Sequence, residues 1–333
     1  MPSQLAQISA VRLFEHVQRI AAFGPREDAS IADNLAADYI AGRFESLGLQ
    51  VQRQMIPAWV IEPIQQSLRV TSPVEMQLDC HHGTLTGVTT LKGVKGELVF
   101  VGKGFEADFE GKDLQGKLAI AWEEKYWEGG DQPRATLSRA AALGGIGLLF
   151  TMKRRDRLLT CWGLGNTPAT IPFLSISYPD CLALRDLMAK GPVEVEMKVL
   201  GEPRRSESAN IWAIVPGTEL PEEMIGVGSC HHDTVPLCPG ANDNASGQAV
   251  MLELAHFFRH NPQKRSVMFF TNGGEETGLW GARAFVDTHL DWLSKSLKAM
   301  LMLDQAGGPD PMVFTGGTPW LEDMLLEEAR KLG

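Results

Sequence analysis

Cysteine is scarce in this sequence. The 333-residue chain contains five cysteines, and no two of them are spaced as a CxxC pair. The odd number and the lack of close pairs argue against a disulfide framework and favour reduced thiols of a cytosolic protein. Cys230 and Cys238 flank a pair of histidines, but the carboxylates nearby favour a harder ligand set than that of a thiolate metal site.

Long apolar runs and clusters of basic residues are also missing. No run approaches the roughly 20 apolar residues of a transmembrane helix, and the N-terminal residues do not have the pattern of a signal peptide. These absences predict a cytoplasmic protein. The formal net charge is −10, from 31 Lys and Arg against 41 Asp and Glu. Without a basic block, this charge argues against nucleic acid or an anionic membrane as the main partner.

The remaining composition is typical of a globular protein with a sizeable core. Hydrophobic residues make up 44% of the chain and charged residues 22%, and 333 residues are enough for two domains. The N-terminal part predicts two helices, at 5–23 and 30–47. From about residue 91 to 200, short strands alternate with glycine-rich turns, which indicates a unit of its own. The CHHG segment before this unit, which contains His81 and His82, is typical of a solvent-exposed loop.

Strands and helices alternate regularly after Ser206. The predicted strands are 211–215, 224–230, 266–271, 297–304 and 312–315, and the predicted helices are 244–260, 279–289 and 320–332. This alternation predicts an α/β fold in which helices flank a mostly parallel or mixed sheet. We therefore expect residues 1–90 and 201–333 to form one domain, with residues 91–200 inserted as a β-rich α+β domain.

Imidazole and carboxylate side chains follow three of the predicted strands at the point where each strand ends. In chain order they are His231 and Asp233, then Glu275 and Glu276, and then Asp304, with Asp243 in addition at the start of a helix. Neighbouring parallel strands end at the same edge of a sheet, so we expect these side chains to converge there. One such group would be typical of a polar turn, whereas three in succession indicate a metal site.

The residue types in this set indicate the chemistry of the site. One imidazole with several carboxylates suits zinc or a similar divalent ion, and an excess of carboxylates suits two ions that share one ligand. Asp233 lies two residues after His231 and is placed to orient the imidazole rather than to bind metal. Glu275 and Glu276 offer one metal ligand and one group to take a proton from water, although the pair alone is more typical of a solvated turn.

The candidate site residues lie in three segments, GSCHHDTVPLCPGANDNASG, RSVMFFTNGGEETGLWGARAF and AMLMLDQAGG. These segments resemble metallopeptidase family 28, the di-zinc aminopeptidases that include aminopeptidase Y and bacterial leucyl aminopeptidases. The FGPR motif near the N-terminus is also similar to the family, and the middle unit resembles a protease-associated domain. The resemblance implies the zinc exopeptidase fold, with this domain inserted into it.

The resemblance also implies a set of metal ligands. His231 and Asp304 would bind one zinc ion, Asp243 would bridge two ions, and Glu276 would bind the second. His232 occupies a position that is often aromatic in the family, so no metal is assigned to it.

Glu275 and Asp233 are the catalytic residues that the resemblance implies. Glu275 would be the general base toward a metal-activated water, and Asp233 would orient His231. The implied function is that of a zinc-dependent exopeptidase, an aminopeptidase that removes N-terminal residues from peptides. The alternatives are a carboxypeptidase or dipeptidase of the same fold, a single-zinc glutaminyl cyclase, and a non-catalytic binding protein on a peptidase scaffold.

The sequence departs from the family at one metal ligand. The second zinc site of the family has a further histidine well downstream of the residue that matches Asp304, whereas the last histidine of this chain is His289. The chain ends at Gly333, where the family continues with more strand and helix. We interpret the chain as C-terminally truncated, and a natural variant with a weakened second site is the alternative. This interpretation predicts an incomplete second zinc site.

Overall fold

A computed structural model describes residues 7–62, 64–123, 132–153, 165–307 and 318–332 of the chain. In chain order, the α-helices of these residues are α1 (Ala10–Ala21), α2 (Ile31–Ser46), α3 (Gln132–Ala142), α4 (Tyr178–Met188), α5 (Gly247–His260), α6 (Trp280–Ser296) and α7 (Pro319–Leu332). The strands are β1 (Val51–Ile61), β2 (Gln65–Ser72), β3 (Met76–Leu78), β4 (Cys80–His82), β5 (Val94–Phe100), β6 (Leu118–Glu123), β7 (Gly147–Met152), β8 (Phe173–Ile176), β9 (Glu194–Leu200), β10 (Pro203–Val215), β11 (Leu220–His231), β12 (Arg265–Asn272) and β13 (Leu297–Met302).

Five strands form the sheet that carries the candidate site, in the order β1-β10-β12-β11-β13. Strands β12, β11 and β13 run parallel to one another, whereas β10 is antiparallel to both β1 and β12. The sheet is therefore mixed. Its three parallel strands end at Asn272, His231 and Met302, so the residues that follow them start from the same edge.

Helices cover both faces of this sheet. Side chains alternate between the two faces along each strand, so consecutive residues of one strand contact different helices. Phe269 packs with Phe44 of α2 and Leu252 of α5 on one face. Phe270 packs on the other face against Phe285 of α6, with the two rings stacked 4.3 Å apart. This arrangement confirms the predicted α/β fold with helices around a mixed sheet. None of the described helices is long and apolar enough to cross a membrane.

The other eight strands form a second sheet, in the order β3-β2-β9-β5-β6-β7-β8-β4. Strands β5 to β8 are parallel to one another, and the remaining neighbours are antiparallel. Leu184 of α4 packs on one face and Ala140 of α3 on the other, which gives this sheet a core of its own. Its first strand begins at Gln65, upstream of residue 91. The division of the chain into domains stays a prediction.

Some local elements differ from the sequence-based predictions. Helix α6 continues past His289 to Ser296, because Leu293 still packs against the sheet. The CHHG segment forms strand β4 rather than an exposed loop, because its backbone pairs with β8, and His82 is only 6% exposed. The predicted strand at 312–315 lies outside the described residues.

An ion pair fastens α1 to α5. Arg12 Nε donates to Glu253 Oε2 at 2.9 Å, and the Ser9 backbone N–H donates to Oε1 at 2.7 Å. Burial alone would raise the pKa of Glu253, but the hydrogen bonds from Arg12 and Ser9 outweigh it and hold the pKa below its ordinary value of 4.5. The pair therefore contributes stability above that pH, and this contribution is lost as the pH falls through the lowered pKa.

Arg12→Met is expected to lower the free energy of unfolding at neutral pH by about 2 kcal/mol, as measured by urea denaturation. The loss should be smaller than for a fully buried pair, because the Arg12 side chain is 37% exposed. The difference from wild type should shrink in acid, where Glu253 becomes protonated. Arg43→Met, at an exposed arginine of α2, is the matched control and should change stability by less than about 0.5 kcal/mol. Equal losses in both variants would contradict a role for the ion pair.

Candidate metal centre

Strand β11 ends in a bulge that sets the direction of His231. Its pairing with β12 shifts in register between Gly228 and Cys230, and Ser229 adopts a positive φ of 45°. A side chain at Gly228 would place its Cβ 2.4 Å from the Phe270 carbonyl oxygen, so this position requires glycine. Bulges of this kind re-aim the side chains that follow. His231 thereby reaches the edge of the sheet while remaining buried.

The two ring nitrogens of His231 have different surroundings. Nδ1 lies 3.0 Å from the Asp233 carbonyl oxygen, and a hydrogen bond there requires the proton on Nδ1. Nε2 faces three carboxylates. It lies 2.9 Å from Asp243 Oδ1, 3.7 Å from Asp304 Oδ1 and 4.0 Å from Glu275 Oε2. Nε2 is therefore the ring atom that is available to a metal ion.

The structure brings every residue predicted to bind metal to this one imidazole. The ligand atoms of His231, Asp243 and Asp304 lie within 4.8 Å of one another, and so do those of His231, Glu275 and Glu276. Each group combines a ring nitrogen with carboxylate oxygens, which is a ligand set that zinc accepts. Asp243 and Glu276 fall in different groups, so their sharing of one ion stays a prediction.

The centre carries more negative than positive charge. Among the described residues, Asp243, Glu275 and Asp304 form no ion pair with a lysine or arginine. Burial, together with the neighbouring acids, raises the pKa of Glu275 to about 7 and that of Glu276 to about 8, although His231 acts in the opposite direction. Burial alone would lower the pKa of His231, but hydrogen bonds to the surrounding aspartates raise it well above 6.5. A divalent cation at Nε2 would replace the proton that this nitrogen carries when His231 is charged, and it would supply the missing positive charge. The donor set therefore fits a metal ion.

Asp233 links the end of β11 to the loop after β12. Its buried carboxylate accepts the backbone N–H groups of Glu275 at 3.2 Å and of Glu276 at 3.1 Å. Burial would raise the pKa of Asp233, but hydrogen bonds from His231 and from the backbone lower it. The carboxylate Oδ1 is 3.5 Å from His231 Nδ1, farther than the Asp233 carbonyl oxygen. The nearer contact with the imidazole is thus made by the main-chain carbonyl oxygen of Asp233, while the carboxylate of Asp233 binds the backbone N–H groups of the two glutamates. The predicted orienting role of Asp233 stays a prediction.

Asn244 connects the two aspartates of the centre. Its buried side chain donates to the Leu303 carbonyl oxygen at 3.0 Å and accepts from the Gly247 backbone N–H at 3.1 Å. Asp243 is therefore fixed next to the strand end that carries Asp304. The sequence pattern did not single out Asn244, because an asparagine near a helix start is typical of a helix cap.

Arg26 holds the loop that follows β11, residues 232–240. Its fully buried side chain donates from Nε to the His232 carbonyl oxygen at 2.7 Å and from Nη1 to the Pro239 carbonyl oxygen at 2.6 Å. Its backbone N–H donates to Thr234 Oγ1 at 2.8 Å, and the Thr234 N–H donates to the Arg26 carbonyl oxygen at 3.0 Å. Sequence reasoning assigned no role to this arginine of the FGPR motif, because no local pattern distinguishes a buried arginine from an exposed one.

His232 is directed into the protein rather than toward the metal centre. It is fully buried, with Nδ1 3.2 Å from Thr271 Oγ1 and Nε2 3.3 Å from Asp33 Oδ1. Ser208 Oγ donates to the same aspartate at 2.7 Å. Burial lowers the pKa of His232 to about 4, although Asp233 acts to raise it. His232 therefore belongs to a buried polar network and joins neither candidate metal group in the described part of the chain.

Known proteins share both the sequence pattern and the fold. Residues 210–332 match the sequence profile described as peptidase family M28. Aminopeptidase YwaD of Bacillus subtilis is 27% identical over 290 residues, which cover 86% of this chain and 59% of YwaD. The chain thus spans less than two thirds of this relative.

Two solved structures are similar over most of the chain. The aminopeptidase from Aneurinibacillus sp. strain AM-1 is 26% identical with a TM-score of 0.69, and the match covers 88% of this chain and 70% of that one. BSAP, a zinc aminopeptidase from Bacillus subtilis, is 25% identical with a TM-score of 0.71, and the match covers 87% of this chain and 68% of that one.

Proposed function

We propose that this chain is a zinc-dependent aminopeptidase of peptidase family M28, whose profile matches residues 210–332. The convergence of Asp243, Glu275 and Asp304 on His231 Nε2 carries the proposal. A scaffold without catalysis has no physical need for so many converging acids. The similarity to a zinc aminopeptidase supports the choice of metal and of reaction.

The proposed zinc site centres on His231 Nε2, with Asp243 and Asp304 as its carboxylate ligands. Glu276 is proposed to hold a second ion that Asp243 shares. When bound, zinc supplies Lewis-acid polarisation of the scissile carbonyl group. The excess of carboxylates around one imidazole supports this assignment.

Glu275 is the proposed general base. Its carboxylate lies 4.0 Å from His231 Nε2, near the centre but without a direct hydrogen bond to the ring. An oxygen is therefore left to accept a proton from the attacking water, and the same group can return the proton to the leaving amine. Asp233 fixes the backbone of Glu275 and thereby positions this carboxylate.

The second sheet is proposed to belong to an inserted domain that is similar to a protease-associated domain. Its separate core supports this assignment. The proposed division remains residues 1–90, 91–200 and 201–333, although the sheet takes its first strands from upstream of residue 91. Peptides are the proposed substrates, and the cytoplasm is the proposed location.

Hydrolysis of leucine p-nitroanilide tests the proposed function. The zinc-loaded protein is expected to cleave this compound but not its N-acetyl derivative, because an aminopeptidase requires a free N-terminus. A chelator should abolish cleavage, and added zinc should restore it. Release of the C-terminal residue from an N-blocked dipeptide would indicate a carboxypeptidase instead. Zinc binding without hydrolysis of any peptide would indicate a binding protein and contradict the proposal.

A further inference from the structure

A cavity of about 370 Å³ opens between the two sheets, beside the candidate metal centre. Its wall is formed by the loop before α2 and the start of α2, by the end of β1, and by His82 of β4 with Thr84 and Leu85 just after that strand. Thr277, the residue after Glu276, also lines it. Consecutive Cα atoms are about 3.8 Å apart, so the cavity begins next to the glutamate pair. A peptide bound at the metal centre could extend a side chain into this space.

Two acids in the cavity wall, Glu27 and Asp28, have no cationic partner among the residues that the structure describes. In the described part of the chain, the Glu27 carboxylate forms neither a hydrogen bond nor an ion pair, and Asp28 Oδ2 accepts a hydrogen bond from Thr277 Oγ1 at 3.4 Å. Burial and the nearby Glu62 raise the pKa of Glu27 to about 7. Glu62 itself is paired with Arg204 at 2.9 Å. An unpaired carboxylate surrounded by protein is unfavourable, so a cation that enters the cavity would gain a strong partner.

The rest of the wall is largely apolar and carries no positive charge. Its large apolar side chains include Phe23, Ile31, Leu35, Trp59 and Leu85. No lysine or arginine is among the described residues that line it, and burial lowers the pKa of His82 to about 4, so this histidine is neutral at pH 7. Arg205 covers the Trp59 ring at 4.2 Å but does not belong to the wall. An apolar surface combined with the unpaired carboxylate of Glu27 matches the methylene chain and the charged end of a lysine or arginine side chain.

We propose that this cavity is a recognition pocket for a lysine or arginine side chain of the peptide substrate, with Glu27 as the counter-charge. The volume is large enough to hold such a side chain. Asp28 and Glu62 add to the negative potential, but Thr277 and Arg204 already contact them. The proposal rests on the proposed aminopeptidase function, because it takes the occupant to be part of the substrate.

Binding of n-hexylamine tests the pocket without any hydrolysis. Calorimetric titration above the pKa of Glu27 should show that Glu27→Gln binds n-hexylamine at least about tenfold more weakly than wild type. Glu62→Gln is the matched control and should weaken binding by less than about twofold, because Arg204 already pairs with Glu62. For 1-hexanol, which has no charge, wild type and Glu27→Gln should have the same weak affinity. Equal affinity of wild type and Glu27→Gln for n-hexylamine would overturn the assignment.

Urea unfolding shows whether Glu27→Gln is folded. The raised pKa means that Glu27 adds stability when protonated and that this contribution is lost as the pH rises through about 7. Above that pH the neutral glutamine should unfold at a urea concentration no lower than wild type. The other titratable groups in the wall are Asp28, Glu62 and His82, and all three are present in both proteins.

A lysine scan of a tetrapeptide tests whether the pocket recognises substrate. At one position, lysine should give a kcat/KM at least about tenfold above that of norleucine, and Glu27→Gln should lose this preference. Hydrolysis of all peptides without any such preference would overturn the recognition of substrate, while the proposed aminopeptidase function would stand. Glu27-dependent binding of n-hexylamine without hydrolysis of any peptide would support a cation pocket and contradict the aminopeptidase function.

Discussion

Glu275→Gln is expected to lower kcat for leucine p-nitroanilide by about 10²–10⁴-fold and to leave the bound zinc unchanged. Glutamine keeps the size of the side chain, but its neutral amide cannot accept the proton of an attacking water. The backbone N–H at this position still donates to Asp233 Oδ1, so the loop should keep its place. Steady-state kinetics and elemental analysis of zinc measure the two quantities on the same preparation.

Glu276→Gln is the matched comparison, because it makes the same exchange at the neighbouring residue. It is expected to lower the zinc content, since Glu276 is a proposed ligand that groups with His231. Retained activity in Glu275→Gln would exclude its role as the base. If Glu275→Gln lost zinc while Glu276→Gln kept its full zinc content, the two assignments would be reversed: Glu275 would be the zinc ligand and Glu276 the base.

Arg26→Met is expected to lower the free energy of unfolding by about 4 kcal/mol, as measured by urea denaturation. Methionine fills much of the same space but donates no hydrogen bond. The carbonyl oxygens of His232 and Pro239 would then be left without their guanidinium donor. Each buried group that loses its partner costs about 1–3 kcal/mol.

Arg26→Lys separates the charge of this side chain from its geometry. Lysine keeps the positive charge, but a single ammonium group cannot reproduce the planar fork that reaches both carbonyl oxygens. Arg26→Lys is therefore expected to lower the free energy of unfolding, but by less than Arg26→Met does. Arg259→Met is the matched control at an exposed arginine, whose Nε donates to the Leu47 carbonyl oxygen at 3.0 Å. It should cost less than about 1 kcal/mol. An Arg26→Met protein as stable as this control would contradict the role of Arg26.

The convergence of the acids could be predicted from the sequence, because it depends on strand direction alone. Once three strands are parallel, the residues after Asn272, His231 and Met302 must start from one edge of the sheet. The alternation of Phe269 and Phe270 between two helix layers follows equally from the two-residue period of a strand.

Contacts between distant segments could not be predicted in this way. Strand β4 exists because β8 offers it a hydrogen-bonding partner, and the CHHG sequence contains no sign of that partner. The bond from Arg26 to the His232 carbonyl oxygen and the cavity around Glu27 likewise depend on residues that only the folded chain brings together. The local pattern thus indicated the residues of the candidate metal centre but not the residues that support them.

The Arg26 contact also constrains the order in which the site is assembled. It joins residues 206 positions apart, and the bond from Ser208 to Asp33 joins residues 175 positions apart. Contacts of such high sequence separation form slowly, because the entropy of closing the intervening chain is lost before the contact is gained. During synthesis the N-terminal helices emerge first and must remain without these partners until β10 and β11 have left the ribosome. The support that Arg26 gives to the loop beside the candidate metal centre is therefore gained late in folding, although the residues proposed to bind metal all lie in the C-terminal part of the chain.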